Sequence, residues 1–206
     1  MSRIVISLAA CILTVFAAPV SAAMIFTSSG PFLSSVQPGA FLNTFAGGNA
    51  GAAAIANGDP SLDFSGSGFA YSVTAETSGL YWDGVTIGNW AAPDPVVFTF
   101  TGNPVTAIGG NFFLTDILGG FQNNVDVTIQ LSDGTTETFN AASTSAYRGF
   151  IFTVPITSMT LPPTVRFHNV DNLTVGTAVP EPTTIGLIAT AGAIALVARR
   201  RRLSRS

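Results

Sequence analysis

The sequence predicts an all-β body: an antiparallel two-sheet sandwich, jelly-roll-like, over residues 24–178. A signal helix precedes it in residues 1–23, and a segment over residues 179–206 carries a transmembrane helix at 183–198. Three observations lead there. Apolar residues in the middle of the chain alternate with period two, the spacing of a half-buried strand. Gly-, Asn-, Pro- and Ser-rich connectors separate these short runs, as turns of an all-β domain require. Each end of the chain carries an apolar run without charge, flanked by arginine.

The front reads as a secretory signal. Arg3 supplies the basic flank, Ile4 to Ala18 form an apolar run broken only by Ser7 and Thr14, and Pro19 stops the helix. Val20-Ser21-Ala22-Ala23 then offers small residues for cleavage, after Ala22 or Ala23. The single cysteine, Cys11, lies inside this run. A lipoprotein box there would leave too few residues ahead of it for a signal core of ~7–15 residues plus its basic flank. The mature chain therefore lacks thiols, which excludes disulfides, a cysteine nucleophile and zinc–cysteine sites.

The body follows. Val125, Val127, Ile129 and Leu131 share one strand face, with Asp126, Thr128, Gln130 and Ser132 on the other. Val96, Phe98 and Phe100 alternate in the same way, as do Phe150, Phe152 and Val154. Val165 and Phe167 point inward in a strand that puts His168 outside, and Leu173 and Val175 close the domain. No window keeps helical spacing over three turns, so the body is read as β throughout. Asp133-Gly134 marks a hairpin. A two-residue loop would leave Phe139 on the polar face. A three-residue loop over Ser132–Gly134 pairs Leu131 with Thr135 and Val127 with Phe139, with Gly134 in the left-handed conformation. The tract Gly47 to Ala54 reads as a loop or a short helix.

The back of the chain is Val179-Pro180-Glu181-Pro182, then Thr183 to Ala198, sixteen residues without charge, then Arg199-Arg200-Arg201-Arg202 and Arg205. As a helix the apolar stretch is ~24 Å long. That falls short of a hydrocarbon core of ~30 Å, so arginine stems must reach to the interface. The arginines remain cytoplasmic, as stop charges, and the body lies on the far side. Pro180 and Pro182 lack amide hydrogens and keep the strip before the helix extended.

Pro180-Glu181-Pro182, a short apolar helix and an arginine-rich tail together resemble the PEP-CTERM sorting signal, over Val179 to Ser206 and with the matching signal peptide in front. The resemblance implies export through the Sec translocon and signal peptidase in a Gram-negative bacterium that makes extracellular polysaccharide. It implies a transient inner-membrane anchor, recognition of Pro180, Glu181 and Pro182 by exosortase, and delivery to the cell surface or the extracellular matrix of a biofilm. The stretch from Pro104 to Phe113, the Ser132-Asp133-Gly134 hairpin and Val170 to Val175 also look like the lectin-like sandwich common in PEP-CTERM bodies, over about residues 96–176.

Composition removes several chemistries. Charged residues are 9% of the chain, lysine is absent, and all eight basic residues are arginine. Without lysine there is neither a P-loop nor a Schiff base. Two arginines and ten acids between residues 24 and 178 give that body a formal charge of −8, which repels nucleic acid. One histidine excludes a paired-histidine zinc site, and no nucleophile elbow accompanies it. The expectation is a non-enzymatic structural or interaction module, with no catalytic residues and no cofactor, a structural calcium ion being the alternative. A carbohydrate-binding module for secreted polysaccharide is the sharper alternative, with Tyr81, Trp82 and Trp90 as stacking surfaces, although such residues more often plug the end of a sandwich core. A secreted glycoside hydrolase using two carboxylates is the remaining alternative. Asp171 and Asn172, with Asp116 or Asn111, offer hard oxygens for calcium, or simply make turns.

Overall fold

The structure is a computed structural model, and it describes residues 23–46 and 60–180. The signal run, the Gly47–Ala54 tract, Glu181, Pro182, the transmembrane helix and the arginine tail lie outside the described residues. Among the described residues no helix is long and apolar enough to cross a membrane.

In chain order the elements are β1 (Met24–Phe26), α1 (Ser29–Ser34), β2 (Phe41–Asn43), β3 (Ser61–Gly66), β4 (Phe69–Thr74), β5 (Leu80–Trp82), β6 (Ile87–Asn89), β7 (Val96–Gly102), β8 (Val105–Thr115), β9 (Asp126–Leu131), β10 (Thr136–Asn140), β11 (Tyr147–Ile156), β12 (Ser158–Leu161) and β13 (Phe167–Gly176). They form two antiparallel sheets. Sheet 1 runs β1-β11-β8-β13-β6-β5, with β2 beside β6 along the same edge of β13, and sheet 2 runs β10-β9-β12-β7-β4-β3. The all-β, two-sheet expectation holds.

The shared core is built by the alternation. Val96 and Phe98 of β7 and Val127 and Ile129 of β9 are fully buried, facing Ile108, Phe112, Phe150, Val170, Leu173 and Val175 of sheet 1. Burial of this kind contributes roughly 1.5–3 kcal/mol per large apolar side chain. The β9–β10 hairpin adopts the three-residue loop. The Leu131 amide donates to the Thr135 carbonyl, Val127 pairs with Phe139, and Gly134 has φ of 90°. Arg148 of β11 then bridges the sheets, its guanidinium 3.7 Å from the centre of the Phe139 ring and its Nε donating to Glu137 at 3.0 Å.

Four expectations need correction. A six-residue helix, α1, interrupts the β pattern, too short for any periodicity test over three turns. Its Phe32 is buried on the outer face of sheet 1, where Gly149 leaves room: a Cβ there would lie 2.6 Å from the Phe32 ring. Val154 is exposed because an irregularity between Ile151 and Ile156 breaks the alternation of β11, and Ile156 takes its place inside. Val165 is exposed, in a turn held by the Thr164 hydroxyl, which donates to the Arg166 carbonyl and accepts from its amide.

The fourth is His168, which is 1% exposed rather than on the surface. Because β13 starts only at Phe167, its phase is inverted: Phe167, Asn169 and Asp171 face outward while His168 and Val170 face the core. A bulge at Asp171–Asn172, with Asn172 at φ 51°, inserts one residue and resets the phase, so Leu173 and Val175 again face inward.

Candidate functional site

The outward residues of β13 floor a cleft of about 680 Å³. Its walls are the β5–β6 hairpin on one side and the loop after β8 on the other. Tyr81, Asp83, Trp90, Asn111, Asp171 and Asn172 are its chemically distinctive lining residues. A second cavity of about 530 Å³ adjoins it and shares Asn111, Ser145 and Asn172.

The hairpin is shaped by one carboxylate. Asp83 Oδ1 accepts from the amides of Val85 at 2.9 Å and Thr86 at 2.7 Å, an Asx turn completed by Gly84 at φ 84°. Asp83 Oδ2 accepts from the Tyr81 hydroxyl at 3.3 Å. Burial, reinforced by the Asp83 charge, raises the Tyr81 pKa above its ordinary value. Tyr81 faces outward and stacks with Trp90, ring centres 6.4 Å apart and planes 26° apart.

Successive residues of a strand point to opposite faces, and this separates the three aromatic candidates. Trp82 turns into the core. Its indole donates to the Phe45 carbonyl at 2.7 Å and its ring meets Phe64 edge-on. Trp82 is thus removed from the stacking set, while Tyr81 and Trp90 remain in it.

Trp90 is 48% exposed, yet its backbone is tightly held. Its amide donates to the Gly79 carbonyl. The preceding residue, Asn89, is buried and donates through Nδ2 to the carbonyls of Ala91 and Asp94, both at 2.7 Å, while its Oδ1 accepts the His168 amide. Behind it Asp94 Oδ2 accepts from the Thr77 and Ser78 amides and the Ser78 hydroxyl. Burial alone would raise the Asp94 pKa, but these donors outweigh it and hold the carboxyl below its ordinary value. Asp94 Oδ1 is buried without a partner among the described residues, but the remaining bonds of this buried network fix the platform before any ligand arrives.

The floor is a chain of amides and carboxylates. The Asp171 oxygens accept from the Asn172 amide at 2.6 Å and from Asn172 Nδ2 at 2.7 Å. Asn172 Nδ2 also donates to Asn111 Oδ1 at 3.0 Å, and Asn111 Nδ2 to the Ser145 carbonyl. Burial raises the Asp171 pKa against the Asn172 amide, and the Asp83 charge adds to the rise. Asp171, Asn172 and Asn111 therefore meet, as a calcium site would need. Asn172 Nδ2 donates to both oxygens that would face the ion, so a protein amide occupies the cation's role. Asp116 is committed to its own loop, accepting from the Leu118 and Gly120 amides. Among the described residues no three His, Cys, Asp or Glu side chains converge on one point.

Sequence reasoning missed Asp83 and the exposed rim of Val85, Ile117 and Leu118. Asp83-Gly84 directly after Tyr81-Trp82 was the available signal for a turn that aims one aromatic outward. His168 takes no part. Its Nε2 lies 2.7 Å from the Pro162 carbonyl, and burial lowers its pKa to about 4 against that carbonyl's pull.

At the far end of the chain the described residues stop at Pro180, directly after Val179, whose amide donates to the Ser35 carbonyl. No curated protein and no solved structure matches the chain. Residues 178–202 match the family model described as the PEP-CTERM protein-sorting motif, which supports a PEP-CTERM protein: an exosortase-targeted, exported precursor that transits the membrane.

Proposed function

We propose that this chain is a non-enzymatic surface module that enters the Sec pathway, loses its signal peptide, is processed by exosortase at Pro180-Glu181-Pro182, and holds a neutral secreted polysaccharide in the cleft of sheet 1. The carrying observation is the mutually stacked Tyr81–Trp90 pair, in which Tyr81 is half-buried and Trp90 exposed, held by the buried Asn89 network. Pyranose rings present flat C–H faces that gain dispersion and apolar contact on such a surface. Beside it lie the short polar side chains that sugar hydroxyls need: Asn111, Asn172, Asp171 and Thr86. A lectin-like character of the body is part of this reading.

Charge narrows the ligand. The lining includes Asp83, Asp116 and Asp171 and no basic residue, so uronic, sulfated or phosphorylated sugars meet repulsion without a compensating partner. Binding rather than hydrolysis is favoured because Asp83 and Asp171 each spend one oxygen on local backbone and the other on a neighbouring side chain.

A glycan array probed with the full-length chain in detergent tests this reading. Saturable binding to neutral oligosaccharides, lost in the Tyr81→Ala, Trp90→Ala double variant, is expected. Binding confined to anionic glycans, or binding that survives the double variant, overturns it.

A further inference from the structure

The sorting motif begins where the folded body ends, with no linker between them. Five hydrogen bonds hold Thr177–Val179 to the body. The Gln37 amide donates to the Thr177 carbonyl at 2.8 Å and Gln37 Nε2 to the Ala178 carbonyl at 3.0 Å. The Ala178 amide donates to Thr106 Oγ1 at 2.8 Å and the Val179 amide to the Ser35 carbonyl at 2.9 Å. A longer contact joins the Thr177 hydroxyl to the Pro104 carbonyl at 3.4 Å. Val36 and Ala178 face each other as an antiparallel bridge. The next residue is Pro180, which has no amide hydrogen to donate and is exposed.

An enzyme that processes a peptide bond takes up an extended segment, with residues on both sides of the motif entering its groove. Peptide grooves of this kind use the main-chain N–H and C=O groups of the segment they hold. Here those groups on the upstream side, at Thr177, Ala178 and Val179, are already bound to Gln37, Thr106 and Ser35.

We propose that the fold withholds the upstream flank of the sorting motif, and that opening of the Thr177–Val179 clamp is a required and rate-setting step in processing by exosortase. The clamp is a short element outside the named strands, held by five hydrogen bonds, the kind of contact that opens without global unfolding. Gln37 and Thr106 act as positioning residues: they decide when the motif is available and touch no reacting atom. This rests on the sorting motif and is independent of the glycan reading.

The test follows conversion of the full-length precursor to its processed form by pulse-chase in the native host. Three variants are compared with wild type: Thr106→Ala with Gln37→Ala, a Gly-Ser-Gly insertion between Val179 and Pro180, and the two combined. Glu181→Ala serves as the unprocessed control. The clamp variant and the insertion are each expected to speed conversion about three- to tenfold, since tenfold corresponds to 1.4 kcal/mol. The combination should gain nothing further, because both changes remove the same obstacle. Unchanged rates with the insertion, or gains that multiply in the combination, overturn the proposal. If Glu181→Ala is processed like wild type, the sorting reading itself fails. Normal clamp effects with no glycan binding would leave this inference standing and remove only the cleft's ligand.

Discussion

Tyr81 and Trp90 stack at 6.4 Å across the β5–β6 hairpin while Trp82, between them in sequence, points the opposite way into Phe45 and Phe64. One strand thus divides its aromatics between a surface and a core, and the two tryptophans must respond differently to truncation. Trp82→Ala should cost about 3 kcal/mol of stability, the low end for a large aromatic because Trp82 is only partly buried. Trp90→Ala should cost under about 1 kcal/mol and weaken glycan binding about tenfold or more. Urea melts and binding titrations on the same two variants separate these outcomes.

The platform depends on a close backbone approach. Gly88 pairs with Asn169, and a Cβ at this position would fall on the His168 carbonyl oxygen. Gly88→Ala should therefore displace β6 from β13 and carry Asn89 and Trp90 with it. The expected loss is about 3 kcal/mol or more, with glycan affinity falling even at temperatures where the variant is folded. Thermal unfolding followed by binding below the transition checks both parts.

His168 makes the fold acid-sensitive. Its pKa is held near 4 in the folded chain against 6.5 unfolded, chiefly by burial. The unfolded state then binds more protons between these values, so stability rises with pH across that window and is lost as pH falls through it. The size is on the order of 3 kcal/mol. His168→Leu should flatten the urea-midpoint profile between about pH 4 and 6.5, leaving the shallower decline due to Asp94, whose lowered pKa places its loss at more acid pH.

Sorting has its own test. Glu181→Ala should leave the full-length form in the membrane fraction, with no released body, by immunoblot of fractionated cells. Continued release at the wild-type rate would show that Pro180-Glu181-Pro182 is not what the processing enzyme reads.

Much of this was legible before the structure. The alternation at Val125–Leu131 and at Val96–Phe100 fixes inward faces because one strand face is buried and the other is not. Asp133-Gly134 fixes its own loop length because only one register puts Phe139 with the valines. The failures share a cause: period two is reliable only while the ladder is regular. The bulge at Asp171–Asn172 and the irregularity in β11 each insert residues, and their marks, Asn172 at positive φ and Pro155, are too common in sequence to place them. Together with the late start of β13, they misplace Val154, Val165 and His168. The cleft was half legible. Tyr81, Trp90, Asn111, Asp171, Asn172 and Asp116 were all candidates, but their convergence depends on β13 lying between β8 and β6, which no local pattern encodes.

The most direct test of the cleft uses the protein's own fluorescence. The chain has two tryptophans, so Trp82→Phe leaves Trp90 as the sole reporter while keeping an aromatic ring against Phe64, at the cost of the hydrogen bond to Phe45 and some ring volume. Full-length Trp82→Phe protein is titrated with fragments of the host's neutral secreted polysaccharide. A saturable blue shift of Trp90 emission, with protection from acrylamide quenching, is the predicted result. Saturable binding by calorimetry with Trp90 emission and quenching unchanged, or no binding at all, would contradict it.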